Sequence, residues 1–248
     1  MRPGLELLRR IGVSQTLVCG TIKAWWRRSQ LRRHGVVADD CFRPRIAGGG
    51  RRWDSWQVLP ERLQNGAIAY SFGIGNDASF DLALIQSYGV RVHGFDPTPE
   101  SMAWVRQQQL PNEFVFHPLG LGACDGTMKL FPPKKPGRVN FSQEKLEYVT
   151  KAHAPIEAAV ARLTTIMRQL GHDHLDVLKI DIEGSEFEAV PDLLTSGCSV
   201  DQLLIEVHYH YPTRSFQDGL GLIRRIVGAG LRCFHVSPRG LEFGFVRG

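Results

Sequence analysis

The stretch of this sequence that decides the fold is Leu178-Lys179-Ile180-Asp181-Ile182-Glu183-Gly184-Ser185-Glu186. Its apolar, β-branched run is interrupted by two acids and a glycine, after which the apolar spacing becomes helical. Acidic side chains at the carboxyl end of a buried parallel strand lie where open α/β sheets bind their ligands. The stretch therefore predicts a strand, a ligand-binding turn and a helix of an α/β enzyme.

Strands and helices alternate on both sides of this stretch. The patterns predict strands at residues 67–72, 90–95, 114–117, 176–182 and 203–207, and helices at 79–87, 99–108, 186–196 and 216–227. Residues 120–160 are less regular. Two strands at 232–236 and 243–247 flank the turn Pro238-Arg239-Gly240 and predict a hairpin. Because strands separated by helices form parallel sheets, we expect a mostly parallel sheet with a C-terminal antiparallel hairpin at its edge.

The first 52 residues carry most of the positive charge. They hold 12 of the 30 Lys and Arg residues but only 3 of the 25 Asp and Glu residues, so the remainder of the chain is mildly acidic. This asymmetry predicts a basic N-terminal extension, residues 1–52, and a main domain, residues 53–248. Because phosphate binding needs clustered cations on the binding surface, the acidic main domain argues against a nucleic-acid partner.

The extension contains Trp25-Trp26-Arg27-Arg28 close to Leu31-Arg32-Arg33. Aromatic and cationic side chains on one helix are compatible with peripheral contact to an anionic membrane through residues 1–35. The alternative, which we favour, is a helix whose tryptophans pack on the main domain. No run reaches the ~18 apolar residues that span a bilayer, and five scattered cysteines are typical of a reducing compartment. We therefore expect a cytoplasmic protein; its oligomeric state is not indicated.

A glycine turn, Gly73-Ile74-Gly75, ends the first predicted strand, and Asp96 ends the second about twenty residues later. Glycines at this place let the chain turn tightly and let a ligand approach the backbone near a helix N-terminus. An acid at the end of the second strand can accept both ribose hydroxyls of a nucleoside. Together the two features predict a nucleoside-type cofactor site. The alternative is that Asp96 only caps the helix that begins near Pro99.

Three motifs give the chain a family resemblance. They are Tyr-Ser-Phe-Gly-Ile-Gly-Asn-Asp at residues 70–77, Gly-Phe-Asp-Pro-Thr-Pro at 94–99, and Leu-Lys-Ile-Asp-Ile-Glu-Gly-Ser-Glu-Phe-Glu at 178–188. With them, roughly residues 65–247 resemble the FkbM family of S-adenosylmethionine-dependent methyltransferases, and the first motif is particularly similar to its methyltransferase-like branch. The resemblance implies a Rossmann-like class I methyltransferase fold, S-adenosyl-L-methionine as methyl donor, and most often O-methylation of a small-molecule or sugar hydroxyl.

The resemblance also implies where the cofactor lies. Ser71 and the glycine turn would face its methionine part, Asp96 its ribose, and the region from Gly120 to Asp125 its adenine. Ser71 stands where an acid usually faces the methionine ammonium, and Asp77, where a third glycine is usual, could supply that carboxylate. The cofactor-binding residues expected on this basis are Ser71, Phe72, Gly73, Gly75, Asp77, Asp96, Pro97, Gly120 and Asp125.

Two other functions fit parts of the same pattern. A nicotinamide-dependent oxidoreductase needs a pyrophosphate at the first turn, but the charge of Asp77 would repel it, whereas a cationic sulfonium tolerates nearby acids. A cofactor-binding scaffold without activity is suggested by Ser71 and the irregular turn. The charge argument favours the methyl donor over the dinucleotide.

The candidate catalytic residues are His208, Asp181 and Glu183. Asp181 and Glu183 alternate along one strand, and Glu206, His208 and His210 alternate along the next, so each set can point to one side of the sheet. His208 is the first choice for the general base because its pKa normally lies near the working range. His210 is expected to bond to a loop.

No metal ion is expected, but if a divalent cation binds, its ligands would be Asp181, Glu206 and His208. The acceptor, a small molecule or a glycan, would lie in a pocket roofed by residues 126–155 and bordered by residues 208–214.

Overall fold

The computed structural model describes residues 15–46, 56–133, 140–143 and 154–248. In chain order the strands are β1 (Arg45–Ile46), β2 (Gln57–Val58), β3 (Ile68–Phe72), β4 (Arg91–Phe95), β5 (Phe114–His117), β6 (Gly120–Leu121), β7 (Gly126–Leu130), β8 (Ile156–Ala161), β9 (His174–Ile180), β10 (Ser199–Glu206), β11 (Leu231–Val236) and β12 (Glu242–Arg247). The helices are α1 (Gln15–Arg33), α2 (Ser79–Tyr88), α3 (Pro99–Val105), α4 (Leu163–Leu170), α5 (Glu186–Thr195) and α6 (Phe216–Gly228), with a 3₁₀ turn at Pro60–Arg62.

Seven strands form the central sheet, in the order β5-β4-β3-β9-β10-β12-β11. The neighbours from β5 to β10 are parallel, whereas β12 is antiparallel to both strands beside it. After β3, the next strands of this sheet, β4 and β5, are added on one side. After β9, β10 and the hairpin are added on the other side, so the strand order reverses between β3 and β9. Ligands of open α/β sheets bind outside the carboxyl ends of the strands at such a switch point. The predicted α/β class and its mostly parallel sheet are confirmed.

The C-terminal hairpin forms as predicted, but its position in the sheet differs from the expectation. Its second strand, β12, inserts between β10 and β11, so the antiparallel strand is interior and β11 is the edge. Phe243, Phe245 and Val246 are almost completely buried in β12. An interior strand buries these large side chains on both faces, which an edge strand open to solvent would not do.

Different segments cover the two faces of the sheet. On one face, Phe72 and Ile180 share a core with apolar residues of α4, α5 and α6. On the other face, Val177 and Leu204 pack with apolar residues of α2 and of the segment 56–59. Because both faces are covered, the strand ends and their loops are the parts of the sheet that a ligand can reach.

Helix α1, from the predicted extension, lies against the main domain. Leu31 is buried in the same core as α6, and the Trp26 ring meets Phe216 edge-on with their centroids 5.9 Å apart. Trp25, by contrast, is 70% exposed. No helix in the described part of the chain is long and apolar enough to cross a membrane. Residues 1–14 and 47–55 lie outside the described residues.

Residues 120–160 contain more regular structure than their sequence indicates. Strands β6, β8 and β7 form a separate three-stranded sheet, in which β6 and β8 are parallel and β7 and β8 are antiparallel. Helix α4, which the sequence interpretation omits, follows directly. The predicted roof of the acceptor pocket, residues 126–155, is only partly covered, because 134–139 and 144–153 lie outside the described residues.

Candidate active site

The glycine turn is built against the end of β9. Gly73 and Gly75 have φ values of +83° and +56°, a backbone region that side chains disfavour. A Cβ on Gly73 would stand 1.7 Å from the carbonyl oxygen of Asp181. The Gly73 N–H donates to the carbonyl oxygen of Phe95 at 2.9 Å. The turn therefore joins the ends of β3, β4 and β9 at the switch point, and only glycine fits at position 73.

Asp96 ends β4 and lies beside this turn, with 5% of its surface exposed. Its Oδ2 accepts from the Gly75 N–H at 2.8 Å, and its Oδ1 accepts from the Thr98 N–H at 2.9 Å and the Thr98 hydroxyl at 2.6 Å. Thr98 in turn caps α3. The carboxylate thus holds both the glycine turn and the residue that begins α3. A carboxylate accepts about four hydrogen bonds, so three partners leave capacity for one more.

The two residues expected near the methionine part of the cofactor are in different surroundings. Asp77 is exposed, and its Oδ1 accepts from the Ser79 N–H at 2.8 Å, which caps the start of α2. Ser71 is 1% exposed, and its Oγ makes no hydrogen bond with any described residue. The structure therefore places Asp77 on the helix start and Ser71 inside the fold, beneath the turn.

Asp81, which the sequence interpretation missed, lies in the first turn of α2 and is 1% exposed. Burial raises the pKa of Asp81 to about 6, although Lys179 and Ser71 nearby oppose the shift. Its Oδ1 has no hydrogen-bond partner among the described residues. An acid on the buried side of a helix, one turn after a glycine loop, is the signal that could have identified it.

The rest of the predicted cofactor set divides into two groups. Phe72 is buried and stacks on Phe95 at 4.5 Å, so only its backbone can reach the crevice. A Cβ on Gly120 would lie 3.1 Å from Pro97, which brings these two predicted positions together. Asp125, however, is exposed and accepts from the Arg162 N–H at 2.8 Å and the Thr165 hydroxyl at 2.9 Å. Its carboxylate is thereby held at the start of α4.

The catalytic candidates do come together, at the carboxyl ends of β9 and β10. His208 is 3% exposed, and its Nε2 lies 3.4 Å from Glu183 Oε2, 3.8 Å from Asp181 Oδ1 and 3.9 Å from Glu206 Oε1. Asp181 is the most open of these three acids, with 26% of its side chain exposed. His210 is exposed to solvent, because β10 ends at Glu206 and the alternation of side chains ends with it.

Glu186 orients the ring of His208 through contacts with its backbone and its Nδ1. Like Asp81, it has no role in the sequence interpretation. Its buried Oε1 accepts from the His208 backbone N–H at 2.7 Å and lies 3.1 Å from Nδ1 of the same ring, while Oε2 accepts from the Gly184 N–H at 2.8 Å. Burial alone would raise the pKa of Glu186, but the adjacent His208 and these hydrogen bonds lower it. The imidazole is therefore held with Nε2 toward the acids.

Glu183 is held by its own partners. It is the one described non-glycine residue with positive φ, +52°. Its carboxylate accepts from the Tyr211 hydroxyl and from the Asn140 side-chain amide. The Ser142 hydroxyl donates to the Glu183 carbonyl oxygen at 2.6 Å. Glu183 thus connects the segment 140–143 and the loop after β10 to the end of β9.

The cluster holds several carboxylates close together in a poorly hydrated place. Burial and the charge of Asp181 raise the pKa of Glu206 well above its ordinary value, and burial also raises the pKa of Asp181. Burial would lower the pKa of His208, but Glu186 and Glu206 raise it well above the ordinary value. Arg239 donates to Glu206 Oε1 at 2.8 Å. The site therefore attracts protons or cations.

One group in the described part of the chain has metal-ligand spacing. The ligand atoms of Asp181, Glu206 and His208 all lie within 4.8 Å of one another. These are the three residues that the sequence interpretation named for a cation.

The strand order, with a single antiparallel strand next to the edge, and the glycine turn at its switch point define a class I methyltransferase fold. The chain belongs to the FkbM methyltransferase family, since the Methyltransferase FkbM domain model matches residues 67–232, more than half of its length. The family that the motifs indicate is confirmed.

Two curated proteins are similar to part of this chain. Probable methyltransferase-like protein 24 of Homo sapiens is 27% identical over 145 residues, and its Rattus norvegicus counterpart is 26% identical. The match covers 58% of this chain and 33% of each relative, so the chain spans about a third of the length of the curated relatives it matches.

The chain is also similar to solved structures, at low identity. Aeropyrum pernix fibrillarin, solved with natively bound S-adenosyl-L-methionine, is 12% identical with a TM-score of 0.40, over 74% of this chain and 66% of that one. The precorrin-6y C5,15-methyltransferase of Geobacter metallireducens is 10% identical with a TM-score of 0.42, over 86% of this chain and 97% of that one.

Proposed function

We propose that this methyltransferase uses S-adenosyl-L-methionine to methylate a hydroxyl group of a small molecule or a glycan. One observation carries the proposal: the acidic cluster around His208 adjoins the glycine turn, because Gly73 packs against the backbone of Asp181, which directly follows β9. A donor bound on the turn and an acceptor bound at the cluster would meet at the switch point.

The residues at the turn fit this cofactor. Gly73 and Gly75 leave the backbone open to a ligand, and Asp96 keeps capacity for one further hydrogen bond. Ser71 Oγ and Asp81 Oδ1 are buried polar atoms without partners among the described residues. We assign the carboxylate of Asp81 as the partner of the methionine ammonium. It would replace the acid that is usual at position 71, where this chain has serine. When bound, the cofactor supplies an electrophilic methyl group on a cationic sulfur.

The cluster would orient the acceptor and receive its proton. Asp181, the most open carboxylate, can accept a hydrogen bond from the acceptor hydroxyl, and Glu206 and His208 lie behind it. Alignment of the hydroxyl with the methyl group would supply much of the rate acceleration, since atoms already held in place lose little further translational and rotational entropy on reaction. A carboxylate of the cluster would take the hydroxyl proton as the hydroxyl oxygen receives the methyl group of the bound cofactor and the carbon–sulfur bond breaks.

The start of α2 supports a methyl donor over a dinucleotide. A pyrophosphate binds to free N–H groups at a helix N-terminus. Here the Ser79 N–H is already bonded to the Asp77 carboxylate, whose charge would repel a phosphate. A cationic sulfonium meets no such repulsion.

Calorimetry tests the proposal directly. We expect the protein to bind S-adenosylhomocysteine with one site per chain and not to bind NADH. A screen of hydroxylated acceptors with methyl-labelled S-adenosyl-L-methionine should then yield a methyl ether. Binding of NADH alone would identify an oxidoreductase, and cofactor binding without transfer to any acceptor would favour a scaffold.

Asp81→Asn distinguishes the loss of stability that the buried carboxylate causes from its contribution to cofactor binding. Because its pKa is about 6 in the folded protein and about 3.9 in the unfolded chain, the contribution of Asp81 to stability is largest below about pH 4 and falls by about 2–3 kcal/mol as the pH rises to about 6 and above. We expect Asp81→Asn to raise the Tm of the free protein at about pH 8. Its affinity for S-adenosylhomocysteine should fall more than about tenfold, the loss of one charged hydrogen bond.

Asp77→Asn is the matched control, since asparagine also caps helices and should leave Tm nearly unchanged. If Asp77→Asn weakens the binding of S-adenosylhomocysteine and Asp81→Asn does not, the exposed carboxylate meets the ammonium and the assignment of Asp81 is wrong.

A further inference from the structure

We propose that Asp181, Glu206 and His208 bind a divalent transition-metal ion of the Mn²⁺ type, which holds the acceptor hydroxyl. The inference deepens the proposed function, on which the catalytic role of the ion rests, but metal binding itself can be measured without methyl transfer.

The first argument is the position of the outer nitrogen of a buried ring. His208 is 3% exposed, and its Nε2 points at three carboxylates. Glu183 Oε2 is the nearest of these acids, at 3.4 Å, which is longer than the ~2.7–3.2 Å of a normal hydrogen bond from nitrogen to oxygen. A proton on Nε2 can be directed at one of these acids at a time, whereas a cation among them could contact several.

The second argument is the orientation of the ring. The fully buried Glu186 carboxylate lies 3.1 Å from Nδ1 and also accepts the backbone N–H of His208. A metal-binding histidine usually donates its second ring N–H to a carboxylate or a carbonyl, which fixes the tautomer and makes the other nitrogen a better ligand. Glu186 provides this support, and Arg239 does the same for Glu206 at 2.8 Å.

The third argument is the distance between the ligand atoms. His208 Nε2 lies 3.8 Å from Asp181 Oδ1 and 3.9 Å from Glu206 Oε1, and the whole set lies within 4.8 Å. Around an ion with bonds of about 2.1 Å, neighbouring ligands are about 3 Å apart and opposite ligands about 4.2 Å apart. Small rotations of Asp181 and Glu206 would bring the observed spacing into this range.

The chemical types of the three ligands determine which metal ion they favour. Two carboxylates and one imidazole suit Mn²⁺ and similar transition ions, because Mg²⁺ and Ca²⁺ prefer oxygen ligands and structural zinc sites favour sulfur and nitrogen. Three protein ligands leave open positions at the ion, where an acceptor hydroxyl can bind and lose its proton near neutral pH. Glu183 is not a ligand in this arrangement, because both of its carboxylate oxygens already accept hydrogen bonds, from Asn140 and Tyr211, whereas Arg239 donates to one oxygen of Glu206, Oε1.

The test is a titration of the metal-free protein with Mn²⁺, followed by electron paramagnetic resonance and calorimetry. We expect one site per chain, with nitrogen hyperfine coupling from His208. Loss of even an outer-shell partner costs about 10–100-fold in metal affinity, so Asp181→Asn and His208→Ala should each weaken binding by at least about 100-fold. His208→Ala should also remove the nitrogen coupling.

His174→Ala is the matched control. His174 Nε2 also lies 3.9 Å from two carboxylates, Asp176 and Asp201, but at the opposite end of the same strands and with a more exposed ring. Mn²⁺ affinity should not change in this variant. An unchanged affinity in Asp181→Asn, or the absence of Mn²⁺ binding to a protein that binds S-adenosylhomocysteine, overturns the metal site and leaves the methyl-donor proposal intact. Mn²⁺ binding without binding of S-adenosylhomocysteine would support the metal site and overturn the methyl-donor proposal.

Discussion

Gly73→Ala is expected to cause the largest loss of stability of any single methyl addition in the glycine turn. The new Cβ would stand 1.7 Å from the carbonyl oxygen of Asp181, and the backbone φ of +83° is unfavourable for alanine. The conformational penalty is about 1–2 kcal/mol and the overlap adds about 1–3 kcal/mol or more. We therefore expect urea denaturation to show a free energy of unfolding lower by about 3–5 kcal/mol.

Gly171→Ala separates the overlap from the backbone penalty. Gly171 has a similar φ, +73°, but a Cβ there would meet nothing within 4 Å. This variant should lose only about 1–2 kcal/mol. The two variants should also differ in binding, since relief of the overlap must move the turn away from β9 and so weaken the affinity for S-adenosylhomocysteine. Equal losses of stability in both variants would mean that the turn does not press against Asp181.

Glu186→Ala is the second substitution with a large expected effect. The carboxylate is completely buried and satisfies the backbone N–H groups of Gly184 and His208 as well as the His208 ring. Alanine would leave these donors without a partner and leave the ring without its orienting charge. Breaking a buried charged pair in this way costs about 3–5 kcal/mol. Thermal and urea denaturation should both show the loss, and methyl transfer should fall together with it.

Glu188→Ala tests whether the effect belongs to the buried carboxylate. Glu188 lies in the same first turn of α5 but is exposed, and its carboxylate accepts from the Gln143 side chain, at 3.0 Å. A surface change of this kind should stay within about 0.5 kcal/mol. If both variants lose the same stability, the loss comes from helix charge and not from the support of His208.

Most of the central sheet follows from local patterns. The apolar strands and the amphipathic helix α6 appear close to their predicted positions because period-two and period-3.6 patterns reflect burial directly. Helix α4 carried the same signal, since Leu163, Ile166 and Met167 are buried at helical spacing. The sequence interpretation nevertheless omits this helix, because it assigns no element between residue 160 and the strand predicted from residue 176.

The composition of the candidate site was only partly predictable. Asp181, Glu183, Glu206 and His208 were identified because acids and histidines at strand ends are unusual. Asp81 and Glu186 were not assigned a role, since an acid in the first turn of a helix normally caps that helix in solvent. Burial gives each of them another environment, and burial depends on what packs over the helix.

The sequence by itself determined most elements of the central sheet, the α/β class, the family and the strand ends at which a site must form. Only the tertiary structure decided that Glu186 supports His208, that Arg239 pairs with Glu206, and that the hairpin inserts β12 beside β10. The physical reason is the separation along the chain of the residues that set each property. Side-chain periodicity is a local property of a few successive residues, whereas the partner of a buried charge is set by register and packing between segments distant in the chain.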